Sequence, residues 1–64
     1  MPIIRVEMFP GRDRQKKAEI AKELTDCFIR VAGGKPEGVT ILFQEISQED
    51  WSVAGTLVAD KLGT

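Results

Sequence analysis

The run Val39 to Ile46, VTILFQEI, places Ile41, Leu42 and Phe43 side by side. Successive strand residues point to opposite faces, so this strand is apolar on both. That is the habit of parallel strands covered from two sides. A chain of 64 residues has little to cover two faces with. A domain of this size buries only about 60% of the surface its unfolded chain exposes, and leans on disulfides, a metal or oligomerisation. Its one cysteine, Cys27, can form no intrachain disulfide, and without histidine or a second cysteine a structural zinc has no ligand set. Oligomerisation is what remains.

The rest of the pattern supplies a partner strand and a crossover. From Pro2 to Phe9 the residues alternate, with Ile4, Val6 and Met8 on one face and Arg5 and Glu7 on the other, which predicts a strand. Phe9-Pro10-Gly11-Arg12 ends it with a Pro-Gly turn, and Asp13 is placed to cap a helix. Ile20, Leu24, Phe28 and Val31 then form the apolar stripe of that helix, flanked by Ala21 and by Cys27, which reads as a small buried hydrophobe. Gly33-Gly34 caps its end and Pro36 blocks its continuation. After the VTILFQEI strand come a polar loop, Gln48-Glu49-Asp50, a short extended or hairpin piece from Trp51 to Leu57, and a weak helical turn. Strand, helix and strand make one βαβ unit over residues 1–64, with parallel strands and a right-handed crossover. One helix covers one sheet face, so the other face and both edges are left for further copies of the chain.

Composition excludes several function classes. The formal net charge is −1, with nine basic and ten acidic residues, and offers no basic stripe for nucleic acid. No apolar run approaches the roughly 18 residues of a membrane span, and the N-terminus lacks the pattern of a signal peptide. A lone free thiol fits a reducing compartment, so the expected location is the cytoplasm.

Proline at position 2 has two readings. It is tolerated as the first residue of a strand because it lacks an N–H. With Met1 removed, it also presents a secondary amine, which is a base or a nucleophile; with Met1 attached, its nitrogen is an amide and is neither.

Taken together, these residues resemble the 4-oxalocrotonate tautomerase family. The resemblance runs from Pro2 to about Ala59. It rests on Met-Pro leading into a strand, Gly11-Arg12 and Gln15-Lys16 opening the helix, Gln44-Glu45-Ile46 closing the second strand, and Trp51 ahead of Val53-Ala54-Gly55. It implies an α/β fold, a βαβ protomer with a short C-terminal hairpin whose sheet is completed by oligomerisation into a dimer-based homohexamer. It also implies removal of Met1, no cofactor, and a small carboxylate substrate: a 2-oxo or 2-hydroxydienoic acid whose keto and enol forms are interconverted. Pro2 would be the general base, Arg12 would hold a substrate carboxylate, and Trp51 and Thr40 would complete the binding site.

That chemistry is physically reasonable. A tautomerase needs a base whose pKa lies near the working pH. An α-amino group starts at about 7.7–8.0, and an apolar pocket or a nearby cation lowers it. Arginine presents a planar fork that matches a carboxylate. Apart from the resemblance, Arg12 can also be a solvated turn residue and Trp51 a packing anchor.

The sequence departs from the family pattern twice. The loop GRDRQKK is one residue shorter between Gly-Arg and Gln-Lys. Thr40 stands where family members carry a second arginine, and its hydroxyl brings no charge to a developing enolate. Arg5, Arg14 or Lys35, reaching in from another subunit, are candidate replacements. Two alternatives follow. One is a proline-dependent hydratase or dehalogenase, for which Glu7, Glu45 or Asp50 would activate water. The other is a non-catalytic subunit or a member of a hetero-oligomer.

Overall fold

The computed structural model describes residues 2–62. Its elements are β1 (Ile3–Met8), α1 (Arg14–Ala32), β2 (Thr40–Glu45), the two-residue strands β3 (Ser52–Val53) and β4 (Thr56–Leu57), and α2 (Val58–Leu62), with single 3-10 turns at Pro36–Gly38 and Gln48–Asp50. Strands β1 and β2 pair in parallel, Ile3 opposite Thr40 through Met8 opposite Glu45. The pairing continues past both ends, where Thr40 N–H donates to Pro2 O at 3.0 Å and Ile46 N–H to Met8 O at 2.8 Å. The expected βαβ unit with parallel strands is present.

Local chemistry sets the boundaries of α1. The Asp13 carboxylate accepts from Lys16 N–H at 2.8 Å, satisfying one of the orphan donors of the first turn. At the other end Gly33, with φ of 81°, donates its N–H to Ile29 O at 2.8 Å. That left-handed conformation favours glycine and stops the helix. The hairpin turns on Ala54 and Gly55, both at positive φ (54° and 83°), as a two-residue loop with the native strand twist demands.

The helix covers one sheet face. Ile4, Val6 and Met8 of β1 and Ile41 and Phe43 of β2 are half-buried beneath it, while their neighbours Ile3, Arg5, Glu7, Leu42 and Gln44 are exposed on the far side. The stripe of α1 is made by Ile20, Leu24 and Phe28, with Ile29, but without Val31, which is 78% exposed. A 19-residue helix runs about 28 Å and a six-residue strand about 20 Å, so α1 is longer than the strands it packs on. Cys27 is exposed as well, not buried as its type suggests, and Arg30 Nη2 lies 3.6 Å from its sulfur.

No described residue is fully buried. The chain measures 46 × 25 × 15 Å with a radius of gyration of 15.2 Å, against about 11 Å for a compact domain of this length. It exposes 5066 Å², where a compact monomer of its 7.1 kDa mass exposes about 4,100 Å². The excess is the size of one side of a standard protein interface, about 800 Å².

Candidate active site

The β1–β2 sheet has two ends of different character. At the end where both strands begin, Pro2 is half-buried and held through its carbonyl by the Thr40 N–H. Beside it lies a pocket of about 190 Å³, walled by Phe28 and Ile29 from the last turns of α1, by the Gly33-Gly34 turn and by Val39. Its lining is mainly apolar, and Lys35 is its one charged residue. A freed proline amine here would meet an environment that disfavours its protonated form.

Pro2 and Thr40 are neighbours through the backbone, but their side chains part company. Pro2 has the parity of Ile4, Val6 and Met8, on the helix side. Thr40 has the parity of Leu42 and Gln44, on the open side, and does not line the pocket. Arg5 is opposite Leu42 on that open side too.

The other end carries Arg12 and Trp51. Pro2 and Phe9 are seven strand positions apart, about 23 Å, and Arg12 lies beyond Phe9 in the exposed turn leading into α1. Trp51 packs on Phe9, ring centroids 4.3 Å apart and planes at 53°. The half-buried Trp51 also accepts from Val58 N–H through its carbonyl at 2.8 Å, which ties α2 to this end. Within one protomer, then, Pro2 meets neither Arg12 nor Trp51.

The acidic residues weighed for water activation are placed away from Pro2. Glu45 pairs with Lys17 at 3.0 Å, linking β2 to α1. Asp50 accepts from Ser47 Oγ at 3.0 Å, and Glu7 is exposed opposite Gln44 on the open face. Among the described residues, no three His, Cys, Asp or Glu side chains converge as metal ligands would, and no helix is long and apolar enough to cross a membrane.

Sequence reading missed the part played by the α1–β2 connection. Its signal was the Gly-Gly-Lys-Pro run just ahead of β2. Parallel pairing brings the start of β2 beside the start of β1, so whatever precedes Thr40 must pass Pro2.

The same arrangement is found in known proteins. The family model for tautomerase enzymes matches residues 2–61. A probable tautomerase of Ralstonia nicotianae is 38% identical over 64 residues, spanning 100% of this chain and 98% of its own length. The crystal structure of TomN, a 4-oxalocrotonate tautomerase homologue in the tomaymycin biosynthetic pathway, superposes with a TM-score of 0.92 at 32% identity, covering 98% of this chain and 97% of TomN. A heterohexamer 4-oxalocrotonate tautomerase from Chloroflexus aurantiacus superposes at 0.86 with 28% identity, covering 94% of this chain and 97% of that one. The chain belongs to the tautomerase family.

Proposed function

We propose that the protein is a cofactor-independent tautomerase of a small 2-oxo or 2-hydroxydienoic acid, with Pro2, freed of Met1, as general base. The supporting observation is the half-buried Pro2 beside an apolar pocket. The proline nitrogen takes the proton of the enol hydroxyl and delivers it to a carbon of the dienol as the carbonyl forms, and the reverse step returns it to oxygen. The apolar walls keep water out and the amine neutral. The removal of Met1 lies outside the described residues and is part of the proposal.

The active unit is an assembly. Pro2 and Arg12 sit at opposite ends of one sheet, so the site takes Pro2 from one copy and Arg12, with Trp51 as an apolar wall, from another. Arg12 holds a substrate carboxylate there. Copies pack over the open face and the edges, and a dimer-based hexamer in the cytoplasm is the form we assign. The test is ketonisation of a 2-hydroxydienoate by protein whose mass lacks Met1, with Pro2→Ala beside it. Turnover that collapses in the variant supports the reading, and a verified free proline without turnover overturns it.

A second reading is favoured by Thr40 and by the heterohexameric neighbour. In it this chain is one of two kinds of subunit, and the other kind supplies the missing arginine. Co-purification of a second small chain carrying an arginine at the position of Thr40 would establish it.

A further inference from the structure

The Pro2 pocket contains one charge, and no role in the reaction has been assigned to it. Lys35 lines the same cavity as Pro2 and belongs to the same protomer. Its ammonium makes no ion pair or hydrogen bond among the described residues. The other cations that sequence offers in place of the second arginine are elsewhere. Arg5 is on the open face of the sheet with Thr40, and Arg14 begins α1 at the far end. Glu37, on the turn between Lys35 and β2, is exposed and does not line the cavity. The titratable groups on the wall are therefore the freed Pro2 amine and Lys35.

We propose that Lys35 is a further carboxylate-binding cation of the Pro2 pocket, acting in the same protomer as the proline beside it and together with the Arg12 that another copy brings. This rests on the reading of Pro2 as a free amine. Lys35 is exposed and lines a mainly apolar pocket, and a cation at that rim favours an anion, because carboxylates form their stronger hydrogen bonds with charged donors. A pocket of about 190 Å³ is below the roughly 300 Å³ where drug-sized sites begin, so its ligand is a small acid. Lys35 also acts on Pro2 itself: a cation nearby disfavours protonation of the amine and lowers its pKa. One residue thus binds the acid and keeps the base neutral, two tasks that Thr40 does not perform.

The test reads the amine directly, without turnover. Protein lacking Met1, in a Cys27→Ser background so that the exposed thiol does not react, is treated with bromoacetate or with neutral bromoacetamide. The proline nitrogen displaces bromide: an N–C bond forms, the C–Br bond breaks, and the amine proton goes to solvent. Intact mass gives the rate as a function of pH, each reagent normalised to its rate with free prolinamide. The expected result is a preference for the anionic reagent of about tenfold, the order expected of one charge-assisted hydrogen bond. Lys35→Ala weakens the preference, leaving the part that Arg12 of another copy supplies, and moves the midpoint of the pH curve upward, whereas Lys35→Arg keeps both. If Lys35→Ala leaves preference and midpoint unchanged, or if Pro2 reacts with neither reagent, the proposal is overturned. Lys35-dependent capture without ketonisation would instead keep this site and break the tautomerase reading.

Discussion

The two ends of the β1–β2 sheet divide between them what a tautomerase needs. The Pro2 end is apolar and concave, and Lys35 is the one charged residue that lines it. The Arg12 end is polar and exposed, braced by the Phe9–Trp51 pair. Neither end brings Pro2 together with Arg12, and no described residue is fully buried. The surface left uncovered on one chain and the separation of Pro2 from Arg12 point the same way, to the assembly proposed above. In the proposed assembly, one end of a chain would meet the opposite end of another.

The largest effects should come from breaking that division. Pro2→Ala removes the base and should lower kcat/KM by about 10²- to 10⁴-fold, the usual share of general acid–base catalysis. Arg12→Ala should be comparably defective on an acid substrate. The informative measurement is the mixture. Two inactive variants, unfolded together and reassembled, should recover about a quarter of wild-type activity if each site draws Pro2 and Arg12 from different copies. Recovery of none would mean that the two residues act within one chain or not at all.

Next comes the open face, where Ile3 and Leu42 share the Pro2 half with Thr40 and Arg5, and Glu7 and Gln44 lie towards Arg12. Ile3 is 59% exposed and Leu42 41%. Ile3→Asp would bury an unpaired carboxylate under the next copy, at a cost of about 3 kcal/mol or more. Sedimentation should then find a smaller, largely unfolded species. Glu7→Gln, on the polar stretch of the same face, should leave the assembly intact. Equal behaviour of the two variants would show that this face is not covered.

A smaller effect is expected at the brace. Phe9→Ala removes one ring of the pair and should cost about 1–2 kcal/mol, part apolar area and part ring geometry. Trp51 fluorescence should shift toward that of an exposed indole while Pro2 alkylation is unchanged. Loss of alkylation would mean that the two ends are coupled.

Much of this was legible in the residue pattern. Alternation in β1, the Asp13 cap, the Gly33 stop and the both-faced apolar run of β2 each have a local cause, and each is present. Val31 and Cys27 were misread because periodicity gives an angle around the helix but not where the sheet beneath it ends. The site was legible only in pieces. Pro2 and Arg12 stand out by residue type, yet their separation depends on β1 being extended and on Arg12 following its far end. Lys35 was in view only as a residue reaching in from another subunit; its place beside Pro2 of its own chain emerges only when parallel pairing carries the α1–β2 connection past Pro2.

The smallest prediction concerns the ion pairs of α1. Lys22 and Asp26 approach to 2.7 Å, closer than the 3.0 Å of Lys17 and Glu45. Distance would rank the first pair higher, but the solvent reverses the order. Lys22 lies on the outer face of the helix, where water screens the charge. Lys17 is 28% exposed and reaches across to β2, so its stem packs while its ammonium joins two elements. Lys17→Ala should therefore cost up to about 1 kcal/mol in denaturant unfolding, and Lys22→Ala nothing measurable. The pH dependence has a defined sign. The hydrogen bond and charge of Asp26 raise the Lys22 pKa above its ordinary 10.5. Any contribution it makes is complete below that value and disappears only as pH rises through the raised one. Unfolding curves recorded around neutrality should therefore show no titration from the Lys22 ammonium.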